Sequence, residues 1–556
     1  MDEIDNTSRG KLKANSAQER ITKWKEHFSN LLGKPPVTNE RPIINVIGNT
    51  LPIDTGDFTR KELVECMKTI ANGKKAGLDN IPVEAWKTEA LIEPLLDVCN
   101  KTLHGDKADI WVKSGLVPLP KKGNLGYADQ YRGISLSVIA AKMYNKMLLF
   151  RIRPHIEPIL RNNQNGFRPK RSTVGQILTL RRLMEGIKSK NLSAVLTFVD
   201  FSKAFDSIHR GKLMQILQAY GIPDSIVSAI NILYEDTMAQ VLSPDGDTEF
   251  FKILAGVLQG DTLAPFLFIV ALDYAMRIAT SIPTETGFTL APCRSKRHQA
   301  IIITDSDFAD DIALISDNLE KAQLLLLRVE IAADIIGLHV NEKKTKFMIM
   351  NDLEGDLLTL QGNELERVDD FEYLGSWINN TERDMKIRIA KAWSALNKMD
   401  VVWKSTLNRD IKISFFRATV ESVLLYGAES WTLTKTLQTR LNGTYTRLLR
   451  SALGISWKQH KTNKELYGEL PLVSDTLKLR RLRFIGHCWR RKDETVHQLL
   501  LWEPPHGRRS RGRPCFTYID QLAEDTGLEK DQLVTAMDNR VEWCRLVKDV
   551  RVLSIQ

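Results

Sequence analysis

The stretch AIIITDSDFADDIALIS, residues 300–316, decides the fold, because two apolar runs flank a central acidic segment. Apolar runs of strand length around a short polar segment predict a β-hairpin with the acidic residues at its tip. Asp310 and Asp311 are adjacent there, and neighbouring carboxylates repel each other unless a cation is present. The pattern therefore predicts either a divalent-cation site or, because Asp is a favoured turn residue, an ordinary solvated turn.

A second run of strand character, SAVLTFVDF at residues 193–201, carries another acid near its end. Its β-branched and aromatic residues predict a strand. Asp200 ends the apolar part, where a buried carboxylate has to be paired, protonated or bound to a cation. Two divalent ions about 4 Å apart can catalyse in-line phosphoryl transfer. Asp200, Asp310 and Asp311 are thus candidate ligands of two divalent cations.

The composition indicates a globular protein with a polyanionic partner. The chain has 556 residues, 43% hydrophobic and 26% charged, with a formal net charge of +10, a balance that excludes a wholly disordered or fibrous chain. Residues 142–190 hold twelve Lys/Arg and two acids, and residues 478–513 hold eleven and three. Clustered Lys/Arg release counterions from phosphates on binding, so an extended polyanion is the expected partner. Two solvated helix faces would give the same counts.

Neither secretion nor membrane insertion is expected. The N-terminal segment MDEIDNTSRG is acidic and lacks the apolar core of a signal peptide. The longest apolar run, residues 263–272, is interrupted by Pro265 and is much shorter than the roughly 18 residues that span a bilayer. The six cysteines follow no repeating spacing, so a disulfide framework is not expected.

Nine short motifs follow one another along the chain. They are KKAGLDNIP (74–82), PLPKKGN (118–124), QYRGISL (130–136), NGFRPKRST (165–173), FVDFSKAFD (198–206), GVLQGDTLAPFLF (256–268), FADD (308–311), GLHVNEKKTKFM (337–348) and YLGS (373–376). Their order resembles the reverse transcriptase domain of non-LTR (LINE-type) retrotransposons, from about residue 50 to about residue 380 and more weakly to about residue 530. Any one string is moderately specific, whereas nine in this order are hard to obtain by chance.

The resemblance implies an α+β right-hand polymerase with a mostly helical C-terminal half. Its parts would be an N-terminal extension or linker (1–50), fingers (51–190), a palm with the catalytic hairpin and primer grip (191–379), a helical thumb (380–475) and a basic C-terminal region (476–556). Eight of the eleven tryptophans lie at or after Trp377, which favours a boundary near residue 380. The N-terminal extension is too short for the endonuclease of many LINE-type proteins, so a chain lacking that domain, a fragment or incomplete copy, is expected.

The resemblance also implies roles for single residues. Asp200, Asp310 and Asp311 would hold two Mg²⁺ ions, for which Mn²⁺ could substitute. Lys344 would donate a proton to pyrophosphate, with Lys343 or Lys346 as alternatives. Phe205 would exclude a ribose 2′-hydroxyl, although a plain core aromatic is the alternative. The other nucleotide-binding candidates are Phe201, Gln259, Gly260, Lys121 and Arg132. The nucleic-acid-binding candidates are Arg168, Lys170, Arg171, Tyr373, Leu374, Gly375, Arg508, Arg509, Arg511 and Arg513.

The function implied by the resemblance is RNA-directed DNA polymerisation, in which dNTPs extend a DNA primer or nicked target DNA on an RNA template. Such a protein would work in the nucleus, and also as a cytoplasmic ribonucleoprotein with the element's own RNA. A non-catalytic nucleic-acid-binding relic, a group II intron-type reverse transcriptase and an RNA-dependent RNA polymerase are the alternatives, and Phe205 and FADD argue against the last. The run Arg511-Gly512-Arg513-Pro514 matches an AT-hook core that fits a narrow A·T minor groove, or else a generic phosphate-binding or nuclear-targeting strip.

Overall fold

The structure, a computed structural model, describes residues 12–38, 41–121, 124–351, 353–508 and 515–553. These residues form both α-helices and β-sheets, which confirms the predicted α+β class. The chain divides into two compact units, each made from three separate stretches. Unit 1 comprises Met1–Arg161, Asp200–Ser281 and Leu327–Asn341, and unit 2 comprises Asn162–Val199, Ile282–Leu326 and Glu342–Gln556.

Thirteen strands lie in the part of the chain that the structure describes, and they form one four-stranded, one five-stranded and two two-stranded sheets. In chain order they are β1 (Lys113–Pro120), β2 (Tyr131–Leu136), β3 (Ala194–Val199), β4 (Met238–Val241), β5 (Phe251–Lys252), β6 (Phe288–Ala291), β7 (Ile301–Ile303), β8 (Asp305–Phe308), β9 (Asp311–Ser316), β10 (Lys346–Met350), β11 (Glu366–Arg367), β12 (Glu372–Tyr373) and β13 (Ser376–Trp377).

The same residues contain 23 α-helices, and every regular element after β13 is helical, as predicted for the C-terminal half. In chain order they are α1 (Ala17–Leu32), α2 (Arg60–Lys68), α3 (Val83–Trp86), α4 (Glu89–Leu103), α5 (Ile139–Ile156), α6 (Thr173–Ser189), α7 (Ala204–Ser207), α8 (Arg210–Ala219), α9 (Asp224–Asn231), α10 (Ala264–Ala279), α11 (Pro283–Thr286), α12 (Leu319–Ile335), α13 (Thr381–Lys398), α14 (Asp400–Lys404), α15 (Arg409–Phe416), α16 (Ser422–Leu424), α17 (Lys435–Ala452), α18 (Asn463–Tyr467), α19 (Val473–Trp489), α20 (Thr495–Leu500), α21 (Tyr518–Thr526), α22 (Lys530–Asp538) and α23 (Arg540–Leu553).

Unit 1 contains the four-stranded sheet, in the order β2-β1-β4-β5. Strand β1 is antiparallel to β2 and parallel to β4. Helix α1 packs on this sheet, because Trp24 and Phe28 lie one turn apart on its buried face. They share a hydrophobic cluster with Leu116 and Val241 of the sheet.

Unit 2 contains the five-stranded sheet, in the order β11-β10-β3-β9-β8. All six residues of β3 are buried, as expected for a strand of apolar and β-branched residues with a neighbour on each side. Strands β8 and β9 are antiparallel with Phe308 opposite Asp311, so Ala309 and Asp310 form a two-residue turn. This confirms the predicted hairpin and its acidic turn, and the hairpin is called the acidic hairpin below. Its first strand is not the predicted apolar run, because the acidic segment Asp305–Phe308 forms β8, whereas Ile301–Ile303 forms β7 and pairs with β6.

The C-terminal helices of unit 2 pack around α6. Leu178 of α6 lies in one hydrophobic cluster with buried residues from α19 through α23. Arg182, also on α6, donates hydrogen bonds to the main-chain oxygens of Leu500 (3.0 Å) and Trp502 (2.8 Å). The segment predicted as a basic C-terminal region therefore contributes to the core of this unit.

No helix in the described ranges combines the length and the apolar character needed to cross a bilayer.

Candidate active site

The three predicted metal ligands lie at strand ends. Asp310 is half-buried in the turn of the acidic hairpin, and exposed Asp311 begins β9. Asp200 follows β3 directly, is half-buried, and accepts a hydrogen bond on its main-chain oxygen from the Asn341 amide (2.8 Å). Asp200 belongs to unit 1 and the other two to unit 2. Among the residues that the structure describes, no group of three or more His, Cys, Asp or Glu side chains forms a ready metal cage.

The acidic hairpin is extended on one side by the loop that precedes α6. The Asn165 amide donates to the Asp307 oxygen (2.9 Å), and the Asp307 amide donates to the Asn163 oxygen (3.0 Å). Gln176 of α6 donates through Nε2 to the main-chain oxygens of the same Asn163 (3.1 Å) and Asp307 (2.9 Å). Strand β8 is therefore held by main-chain and side-chain hydrogen bonds from this loop and from α6.

Gln164, in this loop, reaches the turn of the acidic hairpin. Its Oε1 accepts from the Ala309 amide (2.7 Å), and its Nε2 donates to the Ala309 oxygen (3.1 Å). Ala309 has φ of 55°, a left-handed conformation that is unfavourable by about 1 kcal/mol for a residue with a Cβ. Sequence reasoning missed Gln164, which directly precedes the motif NGFRPKRST, and no charge or periodicity marks it.

Gly166, the second residue of that motif, has a physical reason to be glycine. A Cβ built on Gly166 would lie 2.7 Å from Cα of Ala309 and closer still to its amide nitrogen. Backbone atoms cannot move aside as a flexible side chain can, so only glycine permits this approach. The loop and the hairpin turn are therefore in main-chain contact.

Tyr373, the first residue of the motif YLGS, contacts the acidic hairpin. Its side chain is 2% exposed, and its hydroxyl donates to the main-chain oxygens of Ser306 (2.9 Å) and Asp311 (3.3 Å). Burial raises the pKa of Tyr373 well above its ordinary value, so the hydroxyl keeps its proton. The side chain thus supports the hairpin, while the adjoining Leu374 and Gly375 form the turn between β12 and β13 with φ of 49° and 78°.

The main-chain oxygens of this turn are occupied. Tyr426 donates through its hydroxyl to the Leu374 oxygen (2.9 Å), and Arg388 donates to the Gly375 oxygen. The following residue, Ser376, donates to buried Asp384 of α13 (2.6 Å). The turn therefore has a fixed conformation in unit 2.

Asp384 is the centre of a buried network in unit 2. Its carboxylate accepts hydrogen bonds from four donors, Arg181 Nη2 (2.9 Å), Ser376 Oγ (2.6 Å), the Trp377 amide (3.1 Å) and Trp431 Nε1 (2.8 Å). A buried charge with a cationic partner and this many donors is well satisfied. The network ties α6, β13 and α13 together.

The aromatic residues predicted to contact the nucleotide are in unit 1. The ring of Phe205 stacks on Phe268 of α10, with centroids 4.5 Å apart and planes 12° apart. Phe201 is buried and forms a bridge with Val340. Both rings thus have structural contacts, and the roles of both in nucleotide binding stay predictions.

Gln259 and Gly260 lie beside the sheet of unit 1. The Gln259 main-chain oxygen accepts a hydrogen bond from the Ser135 amide (2.6 Å). Gly260 has φ of 112°, and a Cβ there would overlap the Ser135 oxygen. Gly260 therefore lies close to the backbone of β2, the strand that also contains Arg132, and its approach to the incoming base stays a prediction.

Asp206 interacts with several of the nucleotide-binding candidates of unit 1. Gln259 Nε2 donates to its Oδ1 (3.1 Å). Burial raises the pKa of Asp206 to about 6, while the positive charges of Lys203, Lys121 and Arg132 and the Gln259 hydrogen bond lower it by less. Lys121, Arg132 and Gln259 therefore lie in one region of unit 1, around Asp206. Sequence reasoning included Asp206 only as the last letter of a motif and assigned it no role.

The lysines of motif D, the string GLHVNEKKTKFM, differ in their surroundings. Lys346, the first residue of β10, forms an ion pair with Glu366. Lys343 and Lys344 are exposed ahead of that strand. The ion pair disfavours Lys346 as the proton donor, whereas the choice between the other two stays open.

Much of the first basic block, residues 142–190, is not available to a polyanion. The side chain of Arg171 is 2% exposed and lies 3.1 Å from the Asp493 carboxylate, and buried Arg168 donates to the Gln164 oxygen (2.9 Å). Arg181 and Arg182 are also buried. The block's charge count thus overstates its exposed positive surface.

The other nucleic-acid-binding candidates are exposed or undescribed. Lys170 and Arg508 are exposed. Arg509, Arg511 and Arg513 lie outside the described residues, as does the run that matches an AT-hook core.

Comparison with known proteins bears on residues across both units. Residues 119–378 match the family described as reverse transcriptase (RNA-dependent DNA polymerase). A transposon-derived protein of Caenorhabditis elegans is 30% identical over 268 residues, which are 44% of this chain and 95% of that protein.

Two retrovirus-related Pol polyproteins are also similar. That of the type-1 retrotransposable element R2 of Nasonia vitripennis is 24% identical over 290 residues, 51% of this chain and 26% of the polyprotein. That of the type-2 retrotransposable element R2DM of Drosophila melanogaster is 25% identical over 268 residues, 46% of this chain and 24% of the polyprotein. The chain thus spans about a quarter of each polyprotein. It belongs to the reverse transcriptase (RNA-dependent DNA polymerase) family, and its relatives include a transposon-derived protein and the Pol polyproteins of R2 retrotransposable elements.

Proposed function

We propose that this chain is an RNA-directed DNA polymerase that extends a DNA 3′ end on an RNA template, with dNTPs as substrates. The observation that carries the proposal is the carboxylate pair Asp310–Asp311 at the turn of the acidic hairpin, within the family-matched residues 119–378. Family membership makes RNA and DNA the general substrates. The names of the R2 relatives support retrotransposition as the setting.

Asp200 and Asp310 would be the principal Mg²⁺ ligands, with Asp311 beside them. Asp200 follows Val199 directly in the sequence, and Val199 pairs with Ile312, the residue after Asp311. Mg²⁺ prefers oxygen ligands and is usually bound by one or two carboxylates together with substrate phosphates and water. Such a site suits the turn of the acidic hairpin, where Asp310 is half-buried and Asp311 is exposed. When bound, two such ions would lower the barrier to attack by the 3′-hydroxyl and stabilise the leaving pyrophosphate.

The remaining site residues would act on the nucleotide. In the reaction the primer 3′-oxygen forms a bond to the α-phosphorus of a dNTP, and the bond to pyrophosphate breaks. Lys344 would give the leaving pyrophosphate a proton, and Lys121 and Arg132 would bind the triphosphate by charge. The ring of Phe205 would meet the sugar, and Gln259 with Gly260 would lie beside the base.

The division into fingers, palm and thumb accompanies this proposal, with the boundaries given by the motif order. The chain would act in the nucleus, where target DNA is available, and would form a ribonucleoprotein with the element's RNA. The supporting observations are the family match and the exposed basic residues Lys170 and Arg508.

Primer extension tests the proposal directly. The purified chain is incubated with a labelled DNA primer on an RNA template, four dNTPs and Mg²⁺ or Mn²⁺. We expect template-directed extension that Asp310→Asn abolishes, whereas Asp356→Asn, which alters an exposed loop residue, leaves it unchanged. Salt-sensitive RNA binding without extension by the wild type under either ion would contradict the proposal and favour the non-catalytic relic.

A further inference from the structure

The Gln164 side chain is a buried amide whose hydrogen bonds go to backbone groups. It is 1% exposed. Its Oε1 accepts from the amides of Ala309 (2.7 Å) and Gly166 (2.7 Å), and its Nε2 donates to the Ala309 oxygen (3.1 Å). One amide group thus bonds both main-chain groups of Ala309, as a neighbouring strand would do in a sheet.

Ala309 needs such support because of its conformation. It is the first residue of the two-residue turn and has φ of 55°. Turns of this type favour Gly, Asn or Asp at positions with positive φ, and alanine is not among them. Hydrogen bonds to both backbone groups of Ala309 select the observed turn over its alternatives. The next two residues, Asp310 and Asp311, carry the carboxylates, so their direction depends on this one backbone conformation.

Gln164 is itself held on a rigid support. Its main-chain oxygen accepts from Arg168 Nη1 (2.9 Å), whose side chain is buried. Its neighbour Asn163 accepts from Gln176 of α6 (3.1 Å) and is bonded to β8 through the Asp307 amide (3.0 Å). A side chain fixed in this way can impose a geometry on the turn instead of following it.

We infer that Gln164 is a positioning residue that sets the two carboxylates of the acidic hairpin for metal binding, acting through the backbone of Ala309. The inference rests on the proposed function, in that Asp310 and Asp311 are assigned to the ions there. Gln164 itself touches neither the ions nor the substrates. Its effect resembles that of groups that orient metal ligands from outside the coordination sphere, whose loss typically lowers metal affinity or activity 10- to 100-fold.

The test compares two buried glutamines of unit 2. Gln164→Met keeps nearly the same volume and removes the amide. Gln521→Met does the same on α21, where a 6% exposed amide accepts from the Leu433 amide (3.0 Å). We expect Gln164→Met to lower the single-turnover extension rate about 10- to 100-fold and to raise the Mg²⁺ concentration for half-maximal rate. The affinities for dNTP and for primer–template should stay unchanged, and Gln521→Met should change none of these.

A binding measurement makes the inference independent of catalysis. Electron paramagnetic resonance of Mn²⁺ added to the full chain without substrates should show weaker binding in Gln164→Met and wild-type binding in Gln521→Met. Gln164→Asn keeps an amide on an arm one methylene shorter, and it should reproduce the effect if the Met variant does not fold.

The outcomes separate the two claims. Unchanged Mn²⁺ affinity and extension rate in both Gln164 variants, or equal losses in Gln521→Met, would overturn the positioning role while leaving the polymerase assignment intact. If the wild type binds Mn²⁺ more tightly than the Gln164 variants but extends no primer, the result would support the positioning role and contradict the proposed function. A wild type that does neither would overturn both.

Discussion

At the scale of single residues, Phe205 combines a packing contact with a predicted selective role, and two variants separate them. Phe205→Ala removes the stack on Phe268 and also the bulk expected to meet a ribose 2′-hydroxyl, whereas Phe268→Leu removes only the stack. Because a change of pocket size is worth about 1–3 kcal/mol in specificity, we expect Phe205→Ala to raise the rNTP-to-dNTP ratio of kcat/KM at least about tenfold.

Steady-state extension with each class of nucleotide measures this ratio. Phe268→Leu serves as the control and should leave the ratio near the wild-type value while lowering stability. An equal rise of the ratio in both variants would mean that loosened packing, not the bulk of Phe205, causes it.

The raised pKa of Asp206 predicts how the stability of the chain changes with pH. Its pKa is raised from 3.8 to about 6 in the folded chain, mainly by burial. The folded state therefore keeps a proton that the unfolded state has already lost between these values, so stability falls as pH rises through this window and levels off above pH 6. Asp206→Asn has no carboxyl to titrate, so its stability does not fall in this way. We therefore expect the free energy of unfolding of Asp206→Asn, relative to that of the wild type, to rise by about 2 kcal/mol from pH 4 to pH 7.

Urea unfolding at pH 4, 5, 6 and 7 measures this difference. Its change with pH, not its absolute size, carries the prediction, because the substitution also alters the hydrogen bond from Gln259. A difference that is the same at all four values would show that the Asp206 carboxyl titrates alike in the folded and unfolded chains.

At the scale of elements, the contact between the loop before α6 and the acidic hairpin is intolerant of added atoms. Since a Cβ on Gly166 would meet the backbone of Ala309, Gly166→Ala must displace the hairpin turn, and overpacking of this kind costs about 1–3 kcal/mol. We expect extension activity to fall with stability. In Gly175→Ala the new Cβ meets only Ser172 Oγ at 3.6 Å, so this helical position should tolerate the change.

Chemical denaturation measures the stability of Gly166→Ala and Gly175→Ala, and primer extension measures their activity. Because Gly175 lies within α6, alanine there should stabilise the helix by up to about 1 kcal/mol. If Gly166→Ala were as stable and active as Gly175→Ala, the loop and the turn could not be in the close contact described.

The same hairpin shows what the sequence could predict at this scale. Its acidic turn and its second strand follow from local order, because Asp310 directly precedes the apolar run of β9 within residues 300–316. Its first strand, Asp305–Phe308, contains no apolar run, so the pattern placed that strand wrongly on the preceding residues. Gln164 could not be found in that way, because its partner Ala309 is 145 positions away and a buried amide carries no charge or hydrophobic period. Local pattern thus predicts which residues form an element, whereas long-range hydrogen bonds that fix its conformation appear only in the fold.

At the scale of the whole molecule, charge counting shows the same limit. The count for residues 142–190 treats every arginine as surface charge, yet Arg171 is buried against Asp493, 322 positions away. Arg181 is buried in the same way against Asp384, 203 positions away. Arginine is suited to such buried pairs because its planar group donates several hydrogen bonds at once. Net charge therefore predicts a polyanionic partner in general but cannot say which side chains meet it.

The C-terminal segment can be tested for folding and for nucleic-acid binding separately. Truncation after residue 475 would remove the helices that pack against Leu178 and the main-chain oxygens that accept hydrogen bonds from Arg182. Exposed apolar surface and unpaired buried donors are both destabilising. We expect the truncated chain to lose its cooperative thermal unfolding transition. Replacing Arg508, Arg509, Arg511 and Arg513 by alanine should instead leave Tm unchanged and weaken DNA binding, with a salt slope reduced by about 0.9 for each DNA phosphate that these arginines no longer neutralise.

Calorimetry and DNA binding at several salt concentrations distinguish these effects. A truncated chain that still unfolds cooperatively at the wild-type Tm would show that helices α19–α23 are an appended module and not part of the core of unit 2. An unchanged salt slope in the four-arginine variant would remove that run from the nucleic-acid-binding surface. The remaining exposed basic residues of the described chain, such as Lys170, would then have to account for binding.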